Sequence, residues 1–452
     1  MDPLLPPSEQ VQQRLKRRKQ LIVFFAAWLG WGLDVFDSQL FNFVAYNCIP
    51  TLLDLEIGSE EAQSETRYWT GITSSLLLVG WAIGGIAFGY LADVWGRKVT
   101  MQITIFLFAI STTLCALSMN IWMLLSFRFC AALGIGGEWA AGALLVAESV
   151  PENKRVLGGV LLFTASPFGL LFATLVNYII SGLILADYPE YSWRVVFLFG
   201  LLPALVASMV RYFVEEPEKW VAVRAEQKEN GEEDDSQVIV KKQKPSIFIL
   251  LSKYKKATFS GLAPAVLATL VWWCVTAFAA IIASELAQDR NEKDSTELWS
   301  FITTGSFNSG SLFGVLCTFP VAVYLGRRPL YFIYFLGSSI SIIFSFLFLI
   351  DQYPPYSLLL YFPIGFFVSG IFGSFTFYLP ELFPTYLRGV GAGFCYNSGR
   401  FIAAAGPFVV GYLTSETEHS SSDIMFWVGF LPLLGCLVAF FINETKNRTL
   451  LD

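Results

Sequence analysis

Apolar residues in this chain run in long blocks separated by short polar stretches, not in the alternations of a half-buried helix or strand. Leu21 to Ala27, Ile103 to Ile110, Val195 to Val206 and Phe332 to Ile350 carry almost no charge. A helix needs about 20 predominantly apolar residues to cross a bilayer, and helices are expected there because every backbone polar group must be satisfied within the segment. The pattern predicts spans at 21–49, 68–91, 99–118, 121–147, 156–185, 193–214, 258–286, 297–325, 329–350, 356–379, 388–414 and 423–443. Residues 1–20 form a basic N-terminal segment, 21–214 a first six-helix bundle, 215–257 a linker, 258–443 a second bundle and 444–452 a tail. The predicted fold class is an all-α membrane protein of twelve transmembrane helices.

Composition agrees. Hydrophobic residues make up 55% and charged residues 15% of the 452 positions, against about 25% charged in an average soluble protein. The net charge of −6 gives no case for a nucleic-acid partner. Seven scattered cysteines, no Cys-x-x-Cys pair and a single histidine, His419, argue against a metal site or a disulfide scaffold. The first residues show no signal-peptide pattern. Basic residues set the orientation. Arg67, Arg194, Arg290 and Lys293 fall on one side of the predicted bilayer, Arg128 and Arg400 lie inside spans, and the rest of the 30 Lys and Arg fall on the side of the termini. Both termini are therefore expected in the cytosol, the chain being multi-pass in the cell (inner) membrane. Residues 229–236 are polar and Lys241, Lys242 and Lys244 basic, which reads as a solvated linker whose basic end lies against anionic headgroups.

The two halves echo each other. Glu148-x-x-Pro151-x-x-x-Arg155 recurs at constant separation as Glu381-x-x-Pro384-x-x-x-Arg388, and Gly96-Arg97-Lys98 recurs as Gly326-Arg327-Arg328. Same-order repeats joined by a linker mark parallel transporter halves.

At these residues the sequence resembles the major facilitator superfamily. Gly89-x-x-x-Asp93-x-x-Gly96-Arg97-Lys98 matches the superfamily's loop signature. Arg128-x-x-x-Ala132-x-Gly134-x-Gly136-Gly137-Glu138 resembles the span-4 motif of sugar and organic-acid porters, with Ala132 in place of the first glycine. Glu216-Pro217-Glu218-Lys219-Trp220 and Glu444-Thr445-Lys446-Asn447-Arg448 resemble sugar-porter loop and tail motifs. Pro384-Thr385-x-x-Arg388-Gly389-x-Gly391-x-Gly393, with Gly399-Arg400 and Gly406-Pro407, is similar to span 11 of metabolite–proton and aromatic-acid–proton symporters. The resemblance implies the superfamily fold, alternating access, and a carboxylate porter of the organic-acid branch, akin to aromatic-acid and sialic-acid porters. It also implies that Asp93, Gly96, Arg97 and Lys98 latch the halves together. Val323 replaces the aspartate expected in the second-half loop, so the charge switch is expected mainly in the first half. Glu148 with Arg155 and Glu381 with Arg388 read as gate pairs at the ends of spans.

Ionisable residues within spans are costly, so they carry the functional expectations. Asp34 and Asp37 stand three residues apart on one face of span 1. Two neighbouring carboxyls in a desolvated place can take up and release a proton near neutral pH, and organic-acid symporters of the superfamily often show Asp-Gly-x-Asp here, where this chain has Val35 in place of the glycine. The alternative is a hydrogen-bonded structural pair. Arg400, with Asn397 one turn before it, suits a two-pronged grip on a substrate carboxylate, or a fixed salt bridge to span 1 or span 10. Arg128 and Glu138 on span 4 are candidates for the proton path or for interhelical ion pairs. Gln39, Asn42, Asn177, Trp272, Trp273, Asn308 and Tyr396 are candidate solute contacts. Gly80, Gly84, Gly85 and Gly89 are expected to allow the close helix approach that a rocking interface needs. The reading is a monomeric carrier, not an enzyme, with no cofactor beyond the proton gradient, its partners being a small solute, protons and the bilayer. A proton-independent sugar or polyol facilitator, a drug–proton antiporter and a solute sensor remain as alternatives.

Overall fold

The computed structural model describes residues 7–95, 97–149, 155–205, 247–290, 292, 295–349, 356–384, 387–416 and 420–446. Twelve helical spans form two six-helix bundles, and among the described residues there is no strand. In the first bundle, spans 1 to 4 are the helices Pro7–Leu52, Glu60–Trp95, Arg97–Cys115 and Ile121–Ser149. Span 5 is Arg155–Phe163 and Ala165–Asn177 with a π turn over Tyr178–Ile184, and span 6 begins with Pro189–Leu198. In the second bundle, spans 7 to 10 are Lys255–Asp289, Thr296–Tyr324, Arg327–Phe344 and Tyr361–Glu381. Span 11 is Arg388–Ala403 and Ala405–Glu416; span 12 is Ser421–Val428 and Leu431–Phe441. The last part of the expected linker differs: Ile247–Ser252 is a short helix with Leu250 fully buried, and span 7 starts at Lys255.

Large apolar side chains are turned outward in number, among them Ile86, Ile110, Leu117, Phe440 and Phe441, with Ile86 72% exposed. In water such a surface would aggregate; against hydrocarbon it is the ordinary exterior of a membrane protein. Several buried hydroxyls are satisfied locally. Thr73, Thr174, Thr303 and Ser338 each donate to the carbonyl four residues back, so they need no partner helix.

The repeat reaches into the packing. Gly84 of span 2 sits where a methyl group would overlap the Leu133 carbonyl of span 4, and Gly314 of span 8 meets the Phe366 carbonyl of span 10 in the same way. These are equivalent pairs in the two bundles, and only glycine permits backbones so close. Gly80 and Gly84 therefore cement the first bundle internally, while a methyl group on Gly85 would also meet the other half, 3.4 Å from Asn397 Oδ1. Gly89 lies outside the described side chains. Between the bundles, glycines of spans 2 and 11 do touch: a methyl on Gly71 would lie 2.6 Å from the Pro407 carbonyl and 3.1 Å from the Gly411 Cα.

Spans 5 and 11 break at matching places. One helical segment ends at Phe163 and the next begins at Ala165; in span 11 the ends are Ala403 and Ala405. Pro167 and Pro407 explain both, because a proline ring clashes with the carbonyl four residues before it and removes one helix hydrogen bond. The two breaks face the middle of the molecule, where the Trp28 indole N–H donates to Thr164 Oγ1 at 3.0 Å.

Candidate functional site

A narrow, partly open cavity lies between the bundles. Its wall on one side comes from Trp31, Val35 and Ser38 of span 1, Trp81 of span 2, and Phe163 and Ser166 of span 5. Thr269, Trp272, Trp273, Ser369, Phe372, Tyr396 and Arg400 close the other side. Phe163 and Ser166 flank the span-5 break, and Arg400 lies one turn before the break of span 11. Aromatic faces dominate: Trp81 meets Trp273 edge-on at 6.3 Å, Trp272 meets Phe372 at 6.1 Å, and Phe163 stacks on Phe372 at 6.1 Å. The Trp272 indole N–H is committed to Ser369 Oγ at 3.1 Å.

Arg400 is the one charged residue among the described residues of this wall, and it is 3% exposed. Its guanidinium carbon lies 4.1 Å from the Trp81 ring centre and 4.2 Å from that of Tyr396, so one cation is held between aromatic faces of opposite halves. Its Nη1 donates to Asn397 Oδ1 at 3.3 Å, one turn earlier on the same helix. Asp34 of span 1, itself 0% exposed, is near enough for its charge to act on Arg400. The arrangement can hold a small anion: a planar double donor, fixed in orientation by stacking, in a largely apolar chamber.

Asp37 does not face this chamber. It is 0% exposed, accepts from Thr112 Oγ1 of span 3 at 2.7 Å, and stands against Gly200 of span 6. Arg128 of span 4, 1% exposed, donates to the backbone carbonyls of Asp37 at 3.3 Å and Ser38 at 2.8 Å, and its charge acts on the Asp37 carboxyl. Asp34 is likewise absent from the cavity wall, but the two acids of this helix face diverge. Three residues turn a helix by less than a full turn, and here that offset sends Asp37 into the packed interior of its own bundle.

The amide candidates also lie elsewhere. Asn42 Nδ2 donates to Gln39 Oε1 at 2.7 Å within span 1, and Asn308 Nδ2 to Thr174 Oγ1 at 3.3 Å between spans 8 and 5. Asn177 Nδ2 donates to Glu297 Oε2 at 2.9 Å. None of Gln39, Asn42, Asn177 and Asn308 is in the cavity wall, whereas Trp272, Trp273, Tyr396 and Arg400 are. Of the expected gate, Gly96 and the side chains of Asp93, Arg97, Lys98, Glu148, Arg155 and Arg388 lie outside the described residues, as does the side chain of Glu138.

Glu381 is described, and its described partner is the arginine of the Gly326-Arg327-Arg328 echo. Arg327 grips it with two bonds, Nη2 to Oε1 at 2.6 Å and Nε to Oε2 at 3.1 Å, and Thr445 Oγ1 adds a third at 2.6 Å. Glu444 accepts from the backbone N–H groups of Arg327, Arg328 and Lys446. Gly326, with φ of 102°, turns the chain so that the first N–H groups of span 9 point at that carboxylate. Burial alone would raise the Glu444 carboxyl; the three N–H donors and the Arg327 charge outweigh it and hold the group below the usual carboxylate range. The second half therefore carries a charge cluster of its own, without the aspartate that Val323 replaces.

Sequence reasoning missed Trp31 and Trp81 of the cavity wall, and Glu285 and Glu297 at the bundle interface opposite the termini. Both glutamates lie near the ends of spans, where an acid reads as ordinary loop chemistry.

The sugar (and other) transporter family model matches residues 38–452. A probable 4-methylmuconolactone transporter of Cupriavidus pinatubonensis is 30% identical over 93% of this chain and 88% of its own length. A cis,cis-muconate transport protein of Acinetobacter baylyi is 28% identical over 97% of this chain and 98% of its own. In shape, the chain matches the partially occluded inward-open xylose transporter XylE of Escherichia coli with a TM-score of 0.72 and 20% identity, over 96% of this chain and 100% of that one. With two six-helix bundles enclosing a central cavity and a family match over nearly its whole length, this chain belongs to the sugar (and other) transporter family of the major facilitator superfamily, and it is a multi-pass membrane transporter.

Proposed function

We propose that this transporter moves a small organic anion by proton symport with alternating access. The observation that carries the reading is Arg400, a guanidinium in the wall of the inter-bundle cavity, stacked between Trp81 and Tyr396 and subject to the charge of Asp34 from the other half. The relatives named for 4-methylmuconolactone and cis,cis-muconate transport fit it.

The chemistry follows from competition for one cation. In the empty carrier the Asp34 carboxylate balances the Arg400 charge across the interface. A substrate carboxylate binds best when Asp34 is protonated, because two anions cannot both be compensated by one guanidinium in a low-dielectric chamber. Proton and anion therefore load together, and releasing one favours releasing the other. Asp37 acts behind this site: held by Thr112 and backed by Arg128, it is the second acid through which a proton can pass between span 1 and the rest of the bundle. The termini lie in the cytosol of a cell membrane, on the basic-residue asymmetry, and the carrier works as a monomer.

The test is uptake into proteoliposomes across an imposed pH gradient, screened over monocarboxylates, aromatic acids, sialic acids and sugars. Accumulation of an acid above equilibrium, collapsing when the gradient is dissipated, is the expected result. If every transported solute moves at the same rate and to the same level without a gradient, proton coupling is wrong; if only neutral sugars are carried, the anion site is wrong.

A further inference from the structure

On the face opposite the termini the two bundles are joined by polar side chains. Arg67 of span 2 pairs with Glu285 of span 7 at 3.0 Å, and Ser421 of span 12 donates to the same glutamate at 2.9 Å. Tyr46 of span 1 and the Gly58 carbonyl both bond Gln288 of span 7. The third junction has different chemistry. Glu297, in the first turn of span 8, accepts from Asn47 Nδ2 of span 1 at 3.0 Å on one oxygen and from Asn177 Nδ2 of span 5 at 2.9 Å on the other. Among the described residues no cation lies within ion-pairing distance of Glu297, in contrast to Glu285.

We propose that Glu297 is a proton-binding latch between the bundles: ionised, it clamps the face opposite the termini shut, and protonated, it lets that face open. The asymmetry of the contacts carries this. Both carboxylate oxygens accept hydrogen bonds, which is the pattern of the ionised, acceptor-only group. Protonation turns one oxygen into a donor facing an amide donor, and the Asn177 amide cannot simply flip, because its Oδ1 already accepts from Ser181 Oγ at 3.3 Å. The Asn47 amide can turn to accept that proton, and the two cross-bundle bonds then lose the charge assistance that made them strong, together about the worth of one charge-assisted bond. Close packing transmits the change, since a methyl group on Gly182 of span 5 would lie 3.1 Å from the Glu297 Cβ and Tyr178 lies against Phe301 with ring centres 4.6 Å apart.

Among the described residues, the other titratable groups at this junction are these. Tyr46 on span 1 faces the charges of Glu285, Glu297 and Asp289; Tyr178 is the titratable group of span 5 at this junction; span 7 contributes Glu285, balanced by Arg67 of span 2, then Asp289, with Arg290 capping the helix. Glu297 is thus the group whose charge is answered by neutral amides. The latch stands whichever solute is carried and is read without transport.

The test is hydrogen exchange, by mass spectrometry, of the full-length protein in nanodiscs, on peptides covering residues 44–58 and 284–302. Rates are corrected for intrinsic pH dependence and compared between about pH 8 and about pH 5, a range that brackets perturbed carboxyl titrations. In the wild type, protection of both peptides is expected to fall about tenfold towards the acid end, the effect of losing one charge-assisted bond. Glu297→Gln should exchange fast at both ends of the range, with no pH response of its own. Asn47→Ala combined with Asn177→Ala should also exchange fast at both, and Glu285→Gln should keep the pH response. A span-9 peptide over residues 327–344 reports on general unfolding; if it loosens in Glu297→Gln, the double asparagine variant decides. Glu297→Gln that keeps the wild-type pH response, or that stays as protected as the wild type throughout, overturns the latch.

Discussion

Replacing Arg400 by lysine tests the anion site most directly. In the structure the guanidinium lies 4.1 and 4.2 Å from two ring centres, one on each bundle. That stacking fixes the plane of the fork, so a bound carboxylate can receive two parallel N–H bonds. Lysine keeps the charge but has no plane and supplies a single dominant bond. Losing one hydrogen bond to a charged group costs about 1.5–3 kcal/mol. At about 1.4 kcal/mol per factor of ten, the half-saturation concentration should rise roughly 10- to 100-fold. The stacking energy, about 2 kcal/mol for a desolvated pair, enters differently: it is present in both the empty and the loaded carrier, so its loss lowers thermal stability more than affinity. Maximal flux should change less than half-saturation. The assay is concentration-dependent uptake of the transported acid in proteoliposomes at fixed gradient, with melting in detergent recorded in parallel. An unchanged half-saturation in a folded variant would remove Arg400 as the anion anchor and with it the competition on which symport is built.

Three further outcomes follow from the same geometry. Asp34→Asn should abolish accumulation driven by a pH gradient while leaving exchange of labelled for unlabelled solute at equal concentrations; retained accumulation would show that the proton travels elsewhere. Gly84→Leu should destabilise the first bundle by about 1–3 kcal/mol, the usual cost of overpacking, because any side chain there meets the Leu133 carbonyl; a wild-type melting temperature would contradict the packing. Glu444→Gln should melt earlier than the wild type at neutral pH. Since the folded carboxyl is held below its usual range, the wild-type advantage is present above the unfolded value of about 4.3 and fades as pH falls through the lower folded value; a gap between the two proteins that persists unchanged in acid would contradict that assignment.

Much of this molecule could be read from order along the chain. Hydrocarbon admits only helices of a minimum apolar length, so the blocks from Leu21 to Phe441 mark the spans whatever their neighbours are. The recurrence of Glu148-x-x-Pro151 as Glu381-x-x-Pro384 marks the duplication, and Pro167 and Pro407 mark two helix breaks by local sterics alone. An arginine at lipid depth must find a polar setting, and Arg400 was legible as a site residue for that reason. What tertiary structure decided is which groups meet. Asp34 and Asp37 look alike in sequence, yet a partial helical turn directs one towards Arg400 and the other to Thr112 and Gly200. Glu381 has an arginine seven residues ahead in Arg388, but its described partner is Arg327, brought to it by the packing of spans 9 and 10. Glu297 is a loop-end acid until span 8 crosses spans 1 and 5, where it becomes a half-buried carboxylate held by two amides. Hydropathy is a property of single residues and survives in the linear string; pairing energy belongs to two residues at once, and it comes into being only when helices far apart in the chain are laid side by side.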